Sequence, residues 1–279
     1  MDFFELLSQL YLFKRAADFC RSKLVLNPFL WWDFRNTFAP FSIYFFRLNE
    51  VLFFGKRSRK ALHFIHIGKC AGSSVRNKVL ASEIMSQYSR LLVTHVARPI
   101  YSSRDDYLFV LRAPMLRSLS AFNWRFHLVV ETGEQSKRFR GEKDILCKYR
   151  TLNNLAESLY TKEGRLNKQA SRDYNSIHHL RESISFYITP QFFDLNPQQL
   201  IGVLCQNNLQ EDCAKVLGVF DLPRLNDHGG DFSGAIEKSL SPSARYNLRR
   251  FLVDEYAVIS KLYSMGHLSD ANFSFLMKN

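Results

Sequence analysis

The sequence predicts an α/β protein with a central parallel sheet flanked by helices. Two short runs rich in β-branched and aromatic residues, 62–67 and 107–111, are each followed by a helical pattern. Further strand-like runs occur at residues 184–188 and 200–205. Strands that alternate with helices favour a parallel sheet covered on both faces.

The helices are marked by spacing and by caps. After the first strand, Val75, Val79, Leu80 and Ile84 recur at the spacing of one helical face. A last helix is predicted to begin at Ser241, a capping residue followed by proline, and to end near Gly266.

Composition divides the chain into two parts. Residues 1–60 form an aromatic-rich, basic, helical N-terminal extension, and residues 61–279 form the main domain. The extension fits helices packed on the domain, or a peripheral patch on an anionic membrane surface. Within the domain, the polar insert 131–175 fits a lid over a substrate or a solvated helical insertion.

Net charge and the spacing of the cysteines narrow the possible classes of protein. A hydrophobic fraction of 46% excludes a largely disordered chain, and a net charge of +12 fits an anionic partner without choosing which. The five scattered cysteines form no CxxC pair, so we expect a reducing compartment and no structural metal. No window approaches about 18 consecutive apolar residues, the length of a membrane span, so we place the chain in the cytoplasm.

A first candidate site follows the first strand. Its small residues allow a tight turn, and the amides of the helix that follows point at an anion. Lys69 adds a positive charge, and the serines can donate to phosphate oxygens. The residues of this phosphate cradle are Gly68, Lys69, Cys70, Ala71, Gly72, Ser73 and Ser74.

A second candidate site follows the strand at 107–111. Arg112 lies at the strand end, where its guanidinium can bind a phosphate through two hydrogen bonds, and Ser120 comes two helical turns later on the same side. Two separate anion sites suit a ligand with two anionic ends. Arg117 and Arg125 fit ordinary surface salt bridges better.

Both motifs resemble those of sulfotransferases, in which a lysine loop binds the 5′-phosphosulfate and a strand-end arginine with a serine eight residues later binds the 3′-phosphate. Here Gly68 stands in place of the usual proline, Ala71 in place of a common glycine, and Ala113 in place of an aspartate. The resemblance covers residues 62–265. It implies a P-loop-type fold and the cosubstrate 3′-phosphoadenosine 5′-phosphosulfate, with a glycan or glycolipid as acceptor.

Sulfuryl transfer to an alcohol needs a base and a group that stabilises the leaving phosphate. Lys69 suits the second role, without a metal. His95, in the segment Thr94-His95-Val96, resembles the base of uronyl 2-O-sulfotransferases, and histidine suits neutral pH. A carboxylate base stays open. The alternative candidates are His63, His66, His127 and Glu83.

Two other functions stay open. A P-loop phosphotransferase would need a magnesium-binding hydroxyl after the loop lysine, where Cys70 stands. A basic module binding membrane or nucleic acid through residues 14–60 would explain the charge but not the ordered pair of motifs. We therefore expect a sulfotransferase that binds no nucleic acid.

Overall fold

The computed structural model describes residues 60–220 and 239–278, and in these ranges the chain forms a four-stranded parallel sheet with flanking helices. The strands are β1 (Leu62–Ile65), β2 (Leu91–Thr94), β3 (Asp106–Leu111) and β4 (Leu200–Cys205). The helices are α1 (Gly72–Ala81), α2 (Pro114–Phe126), α3 (Glu142–Tyr149), α4 (Leu152–Glu157), α5 (Lys168–Tyr174), α6 (Ile184–Tyr187), α7 (Leu209–Leu217), α8 (Pro242–Phe251), α9 (Val253–Ser264) and α10 (Asp270–Lys278). The predicted extension, residues 1–60, lies outside the described residues except for Lys60.

The strand order β2-β1-β3-β4 creates a crevice at one point of the sheet. The chain runs from β1 to its neighbour β2 and then crosses back to place β3 on the other side of β1. In parallel α/β sheets, ligands bind beyond the carboxyl ends of the strands where the order reverses in this way. The turns after β1 and β3 are therefore neighbours at the position that such a fold offers a ligand.

The central strands β1 and β3 are buried along their whole length, which explains their nearly continuous apolar sequence. A first apolar cluster surrounds the sheet. A second cluster joins α2 and α8 to the insert, through Leu146, Leu152 and Tyr174 among others. The helices of residues 131–175 thus share this second core with α2 and α8, and their role as a lid stays a prediction.

The predicted strand at 184–188 is wrong, because this segment forms the short helix α6. Ser183 caps it by accepting a hydrogen bond from the amide of Phe186, and Glu255 accepts another from the amide of Ile184. A short apolar run does not reveal its own type by periodicity. The strands predicted at 107–111 and 200–205 are confirmed, and the run at 62–67 forms a strand as far as Ile65.

The helix predictions hold in part. Val75 and Val79 are buried in α1, but Leu80 is exposed and Ile84 lies in the following 3-10 segment, Glu83–Gln87. The last predicted helix begins at Ser241, whose hydroxyl accepts from Ala244, but it breaks at Leu252 into α8 and α9. Among the described residues, no helix is long and apolar enough to cross a membrane.

Candidate functional site

The lysine loop, residues 66–71, connects β1 to α1 with an unusual backbone. Lys69 and Ala71 have φ angles of 67° and 64°, in the left-handed region that side chains other than glycine rarely adopt. Each such residue costs about 1–3 kcal/mol, and this strain is concentrated at functional sites. Gly72 begins α1 against the ring of His66, where an added Cβ would lie 2.1 Å from Cδ2.

The remaining cradle residues differ in exposure. Cys70 is buried with its thiol directed at the carbonyl of Gly68, 3.8 Å away, and burial raises the pKa of this thiol to about 12. Ser74 is buried in α1, whereas Ser73 is exposed. Cys70 is therefore a structural residue, and Ser73, in the first turn of α1, is the more exposed of the two cradle hydroxyls.

Arg112 lies against the lysine loop. Its Nη1 donates a hydrogen bond of 3.3 Å to the carbonyl oxygen of Lys69, while its Nε is buried without a hydrogen-bond partner among the described residues. Because β1 and β3 are paired, the ends of the two strands bring the two predicted cations together. The two motifs are therefore neighbours at the same edge of the sheet.

The side chain of Lys69 is half-buried and reaches α2. Its Nζ lies 4.5 Å from the centre of the Trp124 ring, a cation–π contact. Burial, followed by the charge of Arg112, lowers the pKa of Lys69 to about 8. In the described ranges, neither Lys69 nor Arg112 forms an ion pair, so two partly desolvated cations repel each other without a counterion.

Ser120 is half-buried on α2, four residues before Trp124. Residues four apart share a helix face, so Ser120 lies on the face of α2 that Lys69 contacts through Trp124. A role for Ser120 in binding the 3′-phosphate stays a prediction.

His95 follows β2 and joins the same site. Its Nδ1 lies 2.9 Å from the carbonyl oxygen of His66, and the two rings stack with centroids 4.2 Å apart. A carbonyl only accepts, so His95 Nδ1 carries a proton, and in the neutral ring Nε2 is the unprotonated nitrogen. Burial, then the nearby His95 and Arg76, lower the pKa of His66 to about 3, which keeps His66 neutral.

Of the other candidate bases, His66 lies in the lysine loop itself, where a pKa lowered to about 3 makes it a poor base, and the remaining three lie elsewhere. His63 is buried within the sheet and bonds the hydroxyl of Thr94 at 2.6 Å. His127 pairs with Glu131 at 2.7 Å, in a π-helical turn after α2. Glu83 is exposed in the segment after α1. His95 is thus the predicted base that the fold brings to the lysine loop.

Sequence reasoning missed a buried polar network behind the loop. Arg117 is not a surface residue: its guanidinium is fully buried and binds both oxygens of Glu255 at 3.3 and 3.1 Å. Arg125 likewise binds Glu142 in a buried pair. Pairing raises the pKa of Arg117, against the effect of burial. The partners lie too far along the chain for a spacing rule to find them.

The segment 178–182 closes this side of the site. His178, His179 and Glu182 offer ligand atoms within 4.8 Å of one another, a spacing that suits a metal ion. The carboxylate of Glu182, however, already accepts from the amide of His179 and pairs with His178 and Arg181. These donors and charges compete with a cation, and the expectation that no metal takes part stays a prediction.

A shallow surface depression near the end of β4 is lined by Asn207, Gln210, Glu211 and Phe220 among others. No lysine, arginine or histidine of the described chain lines it, so it offers an anion no counter-charge. Among the described residues, the cations and histidines of the candidate site lie at the lysine loop instead.

The chain matches no protein-family model, no curated protein and no solved structure.

Proposed function

We propose that this protein is a sulfotransferase of P-loop-type fold, which moves a sulfuryl group from 3′-phosphoadenosine 5′-phosphosulfate to a hydroxyl of a glycan or glycolipid. The observation that carries the proposal is the adjacency of Lys69 and Arg112, two half-buried cations without an ion pair in the described residues, at the carboxyl ends of β1 and β3. A ligand with two anionic groups would neutralise both cations.

The division of labour follows from the positions of the side chains. Lys69 and the amides at the start of α1 would bind the phosphosulfate, and Lys69 would stabilise the charge that grows on the departing phosphate oxygen. Arg112, with Ser120 on the neighbouring helix, would bind the 3′-phosphate. Burial lowers the pKa of Lys69 to about 8, so its ammonium form still predominates at neutral pH.

Transfer itself requires one proton to move. The acceptor oxygen attacks sulfur, the bond between sulfur and the bridging oxygen breaks, and adenosine 3′,5′-bisphosphate leaves with the electron pair of that bond. His95 Nε2 takes the hydroxyl proton, because Nδ1 is committed to the carbonyl of His66.

A phosphotransferase remains the second candidate, because the lysine loop lies where P-loop kinases bind phosphate. Cys70 weakens this candidate, since its buried thiol faces the carbonyl of Gly68 and supplies no hydroxyl for magnesium. The basic-module hypothesis depends on residues outside the described ranges.

We also propose that the protein is located in the cytoplasm, with residues 1–60 contacting the inner face of the membrane.

The test is transfer of radiolabelled sulfate from the cosubstrate to a panel of desulfated glycans and glycolipids, beside titrations with adenosine 3′,5′-bisphosphate and with ATP plus magnesium. The proposal predicts a labelled product and binding of the bisphosphate without metal. Binding of ATP only with magnesium, and no bisphosphate binding, would favour the phosphotransferase. Salt-sensitive binding to anionic vesicles or DNA that survives Lys69→Ala, without bisphosphate binding, would favour the basic module.

A further inference from the structure

The ring of His179 occupies the space directly over Gly68. A Cβ added to Gly68 would lie 2.6 Å from Nδ1 of His179 and 3.3 Å from its Cε1, and the three nearest atoms all belong to this ring. Gly68 itself needs no left-handed backbone. The histidine ring is therefore the physical reason for glycine at this position, one residue before Lys69.

Hydrogen bonds to both its amide and its carbonyl hold His179 in a strained backbone conformation. Its φ angle is 67°, which is unfavourable for a histidine. Its amide donates to Glu182 at 2.6 Å, and its carbonyl accepts from the buried Arg117 at 2.8 Å. Arg117 is itself fixed by Glu255. A strained residue persists only where its surroundings determine it more than once, and such residues concentrate at functional sites.

The same ring reaches the other parts of the site. Its centroid lies 5.7 Å from that of His95, and the charge of Lys69 acts on it. Its Nδ1 is buried and has no hydrogen-bond partner within the described ranges. Burial, followed by the neighbouring His178, holds the pKa of His179 well below its ordinary value, so the ring is neutral. Because the buried Nδ1 forms no hydrogen bond within the described ranges, we infer that the ring acts through its packing on Gly68.

We propose that His179 is a positioning residue for the lysine loop: its ring packs on Gly68 and holds the backbone that presents the ammonium of Lys69 to the cosubstrate. The proposed function supplies the ligand used in one of the two readouts below, and the second readout is independent of it. His179 acts through Lys69 and needs no contact with the ligand.

The first test is a double-mutant cycle between Gly68→Ala and His179→Gly, read as affinity for adenosine 3′,5′-bisphosphate. Glycine at 179 removes the ring and tolerates the left-handed backbone. Side chains in contact couple by about 3- to 100-fold, so Gly68→Ala should weaken binding far more in the parent than in the His179→Gly background. An equal loss in both backgrounds would overturn the proposal.

The second readout is the pH midpoint of Lys69 labelling by an amine reagent, followed by mass spectrometry. Burial holds the pKa of Lys69 at about 8, with Arg112 the principal neighbouring charge. Removal of the ring in His179→Gly admits water, so the midpoint should rise from about 8 toward the ordinary lysine value of 10.5. An unchanged midpoint would contradict a positioning role. A change in global stability alone would not move the midpoint, so a rise reports on the surroundings of Lys69 in the folded protein.

One control and one substitute variant keep these outcomes separable. His267→Ala alters a half-buried histidine beyond α9 and should change neither readout. If His179→Gly does not fold, His179→Asn takes its place, because asparagine also tolerates the left-handed region. If the parent protein binds no bisphosphate, the proposed function fails, while the labelling midpoint still decides whether His179 positions Lys69.

Discussion

Arg112 donates a hydrogen bond to the backbone carbonyl of Lys69 at 3.3 Å, which joins two motifs that lie 43 residues apart in the chain. The contact exists because β1 and β3 are neighbouring parallel strands, so that their carboxyl ends open into one crevice. This adjacency is the basis for the proposal that the two cations bind the same molecule.

The first prediction concerns the base. His95→Ala should leave bisphosphate affinity unchanged but lower turnover by about 10²- to 10⁴-fold, the usual contribution of general base catalysis. His127→Ala is the matched control, because that ring pairs with Glu131 in the turn after α2 and should keep parent turnover. Steady-state kinetics with both variants checks this, and full turnover in His95→Ala would refute the role of His95.

The second prediction is a pH dependence set by Lys69. Its pKa of about 8 means that the ammonium is lost as pH rises through this value, and with it the attraction for an anion. Above about pH 7 both phosphates of the bisphosphate are fully ionised, so affinity should fall toward alkaline pH by at most tenfold per unit, the limit for one proton. Titrations from neutral to alkaline pH measure this fall. Lys69→Ala should abolish it, and an equal fall in that variant would assign the titration to another group.

The third prediction concerns the aromatic contact of Lys69. Trp124→Leu keeps an apolar side chain but removes the ring that stabilises the ammonium 4.5 Å away. A cation–π contact contributes about 1 kcal/mol, so the labelling midpoint of Lys69 should fall by ~0.7 pH unit. Trp124→Phe should give an intermediate value. A midpoint that rises in Trp124→Leu would show that the ring acts by excluding water instead.

The fourth prediction concerns the buried pair behind the loop. Glu255→Gln leaves the charge of Arg117 buried without its partner, and such a loss costs about 3–5 kcal/mol in the free energy of unfolding. Denaturant unfolding measures the change. Glu163→Gln is the control, since Glu163 pairs with Arg165 at 4.0 Å on an exposed surface and its loss should not be measurable. Equal stability of the two variants would contradict the role given to the buried pair.

Much of the sheet could be predicted from the sequence, because a parallel strand buried on both faces is a nearly continuous apolar run. The strand predicted at 184–188 was wrong for the same reason, because a short apolar run has no periodicity that distinguishes a strand from a helix. There the hydroxyl of Ser183 and the carboxylate of Glu255 decide in favour of a helix by satisfying its first amides.

Lys69 and Arg112 could be proposed from the sequence because each follows a predicted strand, whereas His95 rested on a resemblance, since the partly exposed strand β2 before it was not predicted. The residues that support these three could not be predicted. Arg117 meets Glu255 across 138 positions of sequence, and only the tertiary fold brings the two together. The sequence signal for His179 is the glycine at position 68. This signal can be interpreted only once the structure shows that the His179 ring packs on that glycine.

The central claim is that Lys69 and Arg112 bind opposite anionic ends of one nucleotide. Calorimetric titration of the parent, Lys69→Ala and Arg112→Ala with adenosine 3′,5′-bisphosphate and with adenosine 5′-phosphate tests it most directly. Hydrogen bonds to charged groups contribute about 1.5–3 kcal/mol, so each variant should lose about 10- to 100-fold in bisphosphate affinity. Lys69→Ala should weaken both ligands and Arg112→Ala the bisphosphate alone. If Arg112→Ala weakened both ligands equally, or neither, the claim would be contradicted.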